Sequence, residues 1–565
     1  MNGLLIDLLG AILLLSGAGS AEELRENEME RFEYYSRNPM PVNQVSRSRM
    51  LSSGLFSAYQ VAAVCEYRSR SGDILGPTEL SLVDGIGPET ADALAWFLSF
   101  ESRLAPGERE NGRIRQSLML RGSARERVSA KAKKGKADTE KGVAEGGKYH
   151  IQMGERAELF WSTRTIYSDT DFSVGTLSLA LNSRRGTRLI LGDFAARFGQ
   201  GLALWSSYSM SGFPSVSAFS RNASGFAPTG SFSPALRGVA ADLPLGRWNV
   251  GGALAYDSAV PVPVVHASYS GRRGQFGVQA LRKEGTVVSA DGTIGLGHWT
   301  VFGESALSSR LVKENGFLIR RTRLAGMAGV SWAPAYRLKF SALARYYPSD
   351  FYSPYAGAPR SASKVSDEEG LSFGAQWRKA EITLDAARHP AKGTRHFKGI
   401  LSVAPEFSTG GLNVCPSLRL TERFRPEDKI PWRHELRSDV KLSCGAFSAS
   451  CRAHLVKCRN TGVLVYAEPG MAIPASGESK LRFSAFLRGT LFRAESWDDR
   501  IYCYERDLPG AFTVPAYYGR GWSISVLAGL NYARQRLTLR ASVLRQAVDS
   551  RPDTSEIKLQ YQIDF

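Results

Sequence analysis

Three cysteines recur at every seventh residue, Cys444, Cys451 and Cys458, and His454 stands between the last two. Thiolates and an imidazole are zinc ligands, but structural zinc sites group them in CxxC-type pairs, which are missing around these positions. Cys65, Cys415 and Cys503 bring the total to six, too few and too scattered for a disulfide scaffold. They read as unpaired strand cysteines. His150, His266, His298, His389, His396 and His434 are dispersed singly, and no GxSxG, HExxH or phosphate-binding loop appears. Gly199-Gln200-Gly201 reads as a bend or a close backbone approach in a strand region, not a nucleotide loop. The expectation is a protein that is not an enzyme, with no metal and no cofactor.

The most specific local pattern lies between residues 41 and 100. Asn43 can cap a helix whose apolar positions include Val45, Met50 and Leu51, and a turn follows at Gly54-Leu55-Phe56. A second helical pattern runs through Tyr59, Val61, Ala62, Val64, Cys65 and Tyr67. After the turn at Ser71-Gly72-Asp73, Pro77 to Val83 leads into Asp84-Gly85-Ile86-Gly87-Pro88-Glu89-Thr90-Ala91. Glycines there permit a tight hairpin with positive φ, Pro88 suits a first helical turn, and Ile86 points into a small core closed by Ala91, Leu94 and Phe97.

These sixty residues resemble two helix-hairpin-helix units in tandem, as in the bacterial competence DNA receptor of the ComEA type. The resemblance is carried by Val42-Asn43, by Glu66-Tyr67-Arg68 and by the Gly-Ile-Gly hairpin at 85–87; in the first hairpin Phe56 stands where the second glycine would be. It implies that hairpin N–H groups receive a phosphate, with Gly85, Ile86, Gly87 and Thr90 as the DNA- or phosphate-binding residues. Charge points the other way. Asp84 and Glu89 flank the hairpin, and residues 41–100 hold four basic and six acidic side chains, whereas neutralising several phosphates calls for net positive charge. Docking of a periplasmic protein is the alternative.

The elements that position this module belong to an exported protein. Leu4 to Leu15 is a short apolar run followed by Ser16-Gly17-Ala18-Gly19-Ser20-Ala21, so residues 1–21 read as a signal peptide, although no Lys or Arg precedes the run. A buried N-terminal helix is the alternative. Residues 22–40 form a polar segment. No later stretch supplies the roughly 20 apolar residues of a spanning helix, so any membrane crossing must use strands. Residues 101–148 read as a basic connector: Arg113 to Arg121 alternates like a first strand, and the Lys-rich remainder reads as a mobile loop, either solvated or touching anionic headgroups or nucleic acid.

From about 149 to 565, strands of roughly ten residues alternate with turns. Leu177, Leu179 and Leu181 share one face; Ile557, Leu559, Tyr561, Ile563 and Phe565 share another, opposite Lys558, Gln560, Gln562 and Asp564. A soluble β-sandwich would alternate too. Aromatic-rich loops such as Tyr346 to Tyr352, a final strand ending on Phe565 and the export signal favour an all-β transmembrane barrel of about 16–20 antiparallel strands in the outer membrane, with the small all-α helix-hairpin-helix domain in the periplasm. Gly192-Asp193-Phe194, Phe198 to Leu202 with Trp205, Tyr502 to Asp507 and Tyr517 to Gly521 look like barrel proteins that carry such N-terminal modules. Residues 1–148 sum to about zero, so the net charge of +18 resides in residues 149–565. Lipopolysaccharide and other outer-membrane lipid are the expected partners for it. Three roles remain open: DNA binding or uptake, protein docking or assembly, and a channel whose basic lumen favours anions.

Overall fold

The structure, a computed structural model, describes residues 32–101 and 114–565, apart from 57, 134–135, 155, 168, 184–185, 207–208, 210, 232–235, 258, 272, 315–316, 336, 474–480, 512 and 548–551. The expected signal peptide and the first part of the polar segment lie outside the described residues. Five short helices come first: α1 over residues 32–37, α2 (Arg47–Ser53), α3 (Ala58–Arg70), α4 (Pro77–Leu80) and α5 (Gly87–Leu94). Ser46 caps α2, accepting the Arg49 N–H at 3.3 Å, and Gly54 ends it at φ +67°, where a side chain would be strained. The cap expected at Asn43 is therefore three residues early. Asn43 is buried instead, its Nδ2 donating to the Ile74 carbonyl at 2.9 Å and its Oδ1 accepting the Ile74 N–H at 2.8 Å. This double bond of an amide to one peptide unit pins the start of the module to the turn before α4. Met50, Phe56, Val64, Leu80, Ile86 and Ala91 fill the small core between the helices.

The rest of the described chain is a closed, 24-stranded antiparallel barrel. Its seam joins Ile114–Lys133 to Asp553–Asp564, in register from Ser117 opposite Asp564 to Val128 opposite Asp553. Short turns gather at the end where Ile114 enters and Asp564 leaves. Gly246-Arg247, Gly297-His298 and Arg378-Lys379 each join two strands there, with φ of +64°, +61° and +52° at the first residue. Positive φ matches the twist of a two-residue hairpin. The opposite end carries the long connections 198–235, 348–367 and 495–518. Short turns face the periplasm and long loops the exterior in barrels of this kind.

Side chains sort by parity. Along Trp299–Glu314, Val301 and Leu307 are exposed, whereas Phe302, Glu304, Ala306 and Ser308 are buried. The apolar residues read as one face near the C-terminus, Ile557 and Leu559, point outward, and Gln560 is buried inside. Exposed Trp248, Trp299, Trp332 and Trp377 ring the short-turn end, with Trp299 and Trp332 stacked at 5.3 Å, while Tyr256, Tyr346 and Trp432 stand near the other. Apolar exterior, two aromatic girdles and a ladder with no free edge are the requirements for strands in lipid. The chain is an outer-membrane β-barrel.

Two expectations are corrected. The wall has 24 strands instead of 16–20, because turns as short as two residues let each strand use less chain than the sequence estimate assumed. The stretch read as a basic connector forms the first two wall strands, Ile114–Lys133 and Lys136–Met153, so the barrel starts at 114 and not at 149. Those strands are about twice the length needed to cross the hydrocarbon. Their far half therefore stands in water, where Lys141 pairs with Glu126 at 3.2 Å and Arg127 with Glu140 at 3.7 Å. Low hydrophobicity forbids folding alone, but here neighbouring strands supply the backbone partners.

Leu384 projects outward midway along Ala380–His389. Leu384→Arg should destabilise the barrel by about 2–4 kcal/mol. The fraction of heat-modifiable, folded protein recovered in lipid vesicles measures this, with Glu140→Gln on the water-exposed hairpin as the neutral control.

Candidate functional site: a lumen closed by loops and lined with cations

The hairpin expected to carry phosphate chemistry is formed. Gly85 and Gly87 adopt φ of +78° and +68°, Ile86 is buried beneath them, and half-buried Thr90 lies in the first turn of α5. Gln60 Nε2 donates to the Gly85 carbonyl at 2.8 Å, and no side chain caps α5. The four residues are thus brought together at an exposed corner. Cations are not. Arg47 and Arg49 turn to the barrel, and Arg70 pairs with Glu66 at 3.0 Å. At the first hairpin Phe56 is buried in the module core, which explains why a bulky residue replaces the second glycine there.

The module sits in the short-turn mouth. Arg49 Nη1 meets Glu158 Oε2 at 2.8 Å with both side chains under a tenth exposed, and the same carboxylate takes His150 Nε2 at 3.0 Å. His150 stacks on Phe160 at 4.2 Å. Tyr34 donates to Gln152 at 2.8 Å, Arg536 pairs with Glu33 at 2.7 Å, and Arg47 donates to the Ser270 hydroxyl at 3.0 Å. These anchors lie on strands from different sectors of the wall, so the module bridges the mouth.

From the opposite end, loops fold inward. Glu304 is buried, and its carboxylate accepts the N–H groups of Gln200 at 2.7 Å, Leu202 at 3.0 Å and Ala203 at 3.2 Å. A Cβ on Gly199 would come within 2.8 Å of the same carboxylate, and Gly201, at φ +88°, donates no side chain to its contact with Gly357. Gly199-Gln200-Gly201 is thus a close backbone approach, as its sequence suggested. The Gly357 N–H donates to the Gly201 carbonyl at 2.8 Å and the Trp205 N–H to the Tyr355 carbonyl at 2.7 Å, which stitches loop 348–367 to loop 198–235. Farther along, Thr383 Oγ1 donates to the Phe213 carbonyl at 2.7 Å. Loop 495–518 covers another sector: Lys558 meets Asp507 at 2.8 Å, Arg540 meets Glu505, and Arg121 donates to the Pro509 carbonyl at 3.1 Å.

Between the sector covered by loops 198–235 and 348–367 and the one covered by loop 495–518 runs a basic strip of wall. Strands Thr394–Val403, Leu412–Phe424 and Trp432–Cys444 put Lys398, Arg423 and Arg433 in one cross-strand row and Arg419 and Arg437 in another. Acids are fewer: Glu435 engages Arg433, and Asp439 lies 2.9 Å from Arg437 and also binds Arg452. Among the described residues, Lys398, Arg419 and Arg423 have no carboxylate within ion-pair distance; Arg419 Nη2 donates to the Pro214 carbonyl at 3.3 Å. Such a strip attracts anions and repels cations. Sequence reasoning located the positive charge in the barrel without finding this strip. The signal was the period-two placing of Arg419, Arg423, Arg433 and Arg437 between outward Leu418, Leu420 and Leu436.

No protein-family model matches the chain, its helical module included, and no curated protein matches it. Among solved structures, the P pilus usher (PapC) translocation pore aligns at 11% identity over 80% of this chain and 99% of that one, with a TM-score of 0.42. The E. coli P pilus tip assembly intermediate PapC-PapD-PapK-PapG aligns at 11% identity over 83% of this chain and 63% of that one, with a TM-score of 0.49. Pseudomonas aeruginosa OccK5 (OpdH) aligns at 9% identity over 80% and 98%, with a TM-score of 0.31. At these values the likeness carries no argument about this chain.

Removing Glu158 strands a buried guanidinium. Glu158→Ala should cost about 3–5 kcal/mol locally and loosen the module without unfolding the barrel. Trypsin should then cleave within residues 41–100 faster than in the parent protein, while the heat-modifiable barrel band persists.

Proposed function

We propose that the protein is an outer-membrane channel that favours anions, with its conductance restricted by the inward loops and the periplasmic module. The observation that carries this reading is the strip holding Lys398, Arg419 and Arg423, cations inside the wall without acidic partners among the described residues. A buried cation left without a counter-charge is costly; one beside a water-filled path takes mobile anions instead. The expected outcome in planar bilayers under a KCl gradient is a reversal potential displaced toward chloride. Changing Lys398, Arg419 and Arg423 together to Met, Gln and Gln should move it toward zero. Cation selectivity, or no current from either the parent protein or Glu158→Ala, would refute the proposal.

For the helical module we favour docking of a periplasmic protein over DNA. Leu75 and Leu82 are each 73% exposed and Trp96 is half exposed on this domain. Apolar side chains beside Asp84 and Asp92 suit a protein surface better than a polyanion. The phosphate role that the helix-hairpin-helix resemblance implies for Gly85, Ile86, Gly87 and Thr90 is the competing reading. Incubating the detergent-solubilised full chain with duplex DNA at low salt separates them. Docking predicts no retention; salt-sensitive retention lost in Gly87→Val would establish the DNA reading instead.

A further inference from the structure

At the exterior end of the basic strip, His396 is only 5% exposed, and neither ring nitrogen has a hydrogen-bond partner among the described residues. Buried polar groups are nearly always bonded, to water where not to protein. The ionisable groups acting on this imidazole most strongly are all bases: Arg425, Lys398, Arg423 and His389. His389 is satisfied elsewhere, its Nδ1 lying 2.7 Å from the Asp367 carbonyl oxygen. The acids of the neighbourhood have partners of their own. Glu435 engages Arg433. Asp385, opposite Lys398 in the ladder, binds Arg345 through Oδ1 at 2.7 Å and accepts there from the Ser372 hydroxyl, while its Oδ2 has no hydrogen-bond partner among the described residues. Glu427 binds Arg395 at 2.9 Å, and Asp428 reaches Arg425 only at 3.9 Å. Donors therefore outnumber acceptors in one place: among the described residues Lys398 and Arg423 have no carboxylate within ion-pair distance, and the His396 ring has no hydrogen-bond partner. Lys398 and Arg423 face each other across adjacent strands, and the inward loop passes beside them, since a Cβ on Gly212 would lie 3.7 Å from Lys398 Nζ.

We propose that His396, Lys398 and Arg423, with Arg425 at the rim, form a discrete lumenal site for a tetrahedral oxyanion of the phosphate class. The inference rests on the reading of the lumen as an anion path and names the anion it selects. A monatomic halide could neutralise charge but offers one centre to several divergent donors. Phosphate presents four oxygens: two can accept a guanidinium fork, another the ammonium, and another an imidazole N–H. One of the imidazole's two orphaned nitrogens is then bonded, and the crowding of like charges is relieved, by one ligand.

The test uses the folded full chain in detergent with inorganic phosphate, followed by isothermal calorimetry in chloride buffer. One phosphate should bind per chain, and Lys398→Met or Arg423→Gln should each weaken it about tenfold. His396→Phe keeps an aromatic ring and the other cations, and should also weaken phosphate binding. Phosphate should also reduce chloride current through the parent channel. An anion-selective current with no phosphate binding, or binding indifferent to all three substitutions in folded protein, would overturn the site and leave the channel reading standing. Phosphate binding that is lost in the variants, without any anion current, would uphold the site and defeat the channel.

Discussion

Everything in this molecule depends on closing the hydrogen-bond ladder between Ile114–Lys133 and Asp553–Asp564. In hydrocarbon an unpaired backbone N–H or C=O has no water to turn to, so a sheet with an open edge cannot remain there. Because the strands that meet at the seam are the first and last of the wall, the ring exists only when the whole chain between them is in place. Closure also fixes parity. Once each strand's register is set, a slip of one residue would turn Lys558 toward lipid and Leu559 toward the lumen. The aromatic girdles, the outward leucines and the inward charges are consequences of that single register.

A ring of this size creates a second problem. Wall side chains fill the interior of an eight-stranded barrel, but rings of sixteen or more strands leave a water channel. The protein meets this from both ends. Glu304 holds the backbone of loop 198–205 through three N–H groups, a carboxylate serving as the counterpart of a turn. Arg49 performs the reverse service at the periplasmic mouth, carrying a charge of the module to a buried carboxylate of the wall. Loops and module are thus attached by polar contacts to an inner surface that parity has already made polar. Apolar packing follows, with Phe213, Phe219 and Phe226 joining the cluster that the loops make with the wall.

The architecture was legible because parity is local. The alternation of Leu177, Leu179 and Leu181, or of Ile557 to Phe565, needs no knowledge of neighbours, and neither does the spacing of glycines at 85 and 87. What depended on neighbours was misjudged. The composition of Arg125 to Lys148 does not support folding alone, whereas the seam partners Arg125 to Val128 and neighbouring strands partner the rest of its described ladder. The strand count suffered from the same cause, since turn length is decided by positive-φ residues such as Arg378 and Ala533 that carry no compositional mark. The basic strip was hidden for another reason. Arg419, Arg423, Arg433 and Arg437 come from two strands separated by a loop, and only the register places Arg423 opposite Arg433 and Arg419 opposite Arg437.

The strip is informative beside five inward cations that the chain's own acids do neutralise. Arg345 has Glu368 and Asp385; Arg488 and Arg506 share Glu468; Arg540 has Glu505 and Lys558 has Asp507. In the last two cases the acid is delivered by loop 495–518. Loop 198–235 behaves differently at the strip: it offers Arg419 a carbonyl of Pro214 and passes Lys398 with Gly212, a residue that has no side chain to offer. Where loop 198–235 passes the strip it supplies no acid, so at Lys398, Arg419 and Arg423 the counter-charge is left to something other than the loop. Mobile anions in a solvated gap meet that requirement, and a fully packed plug would not.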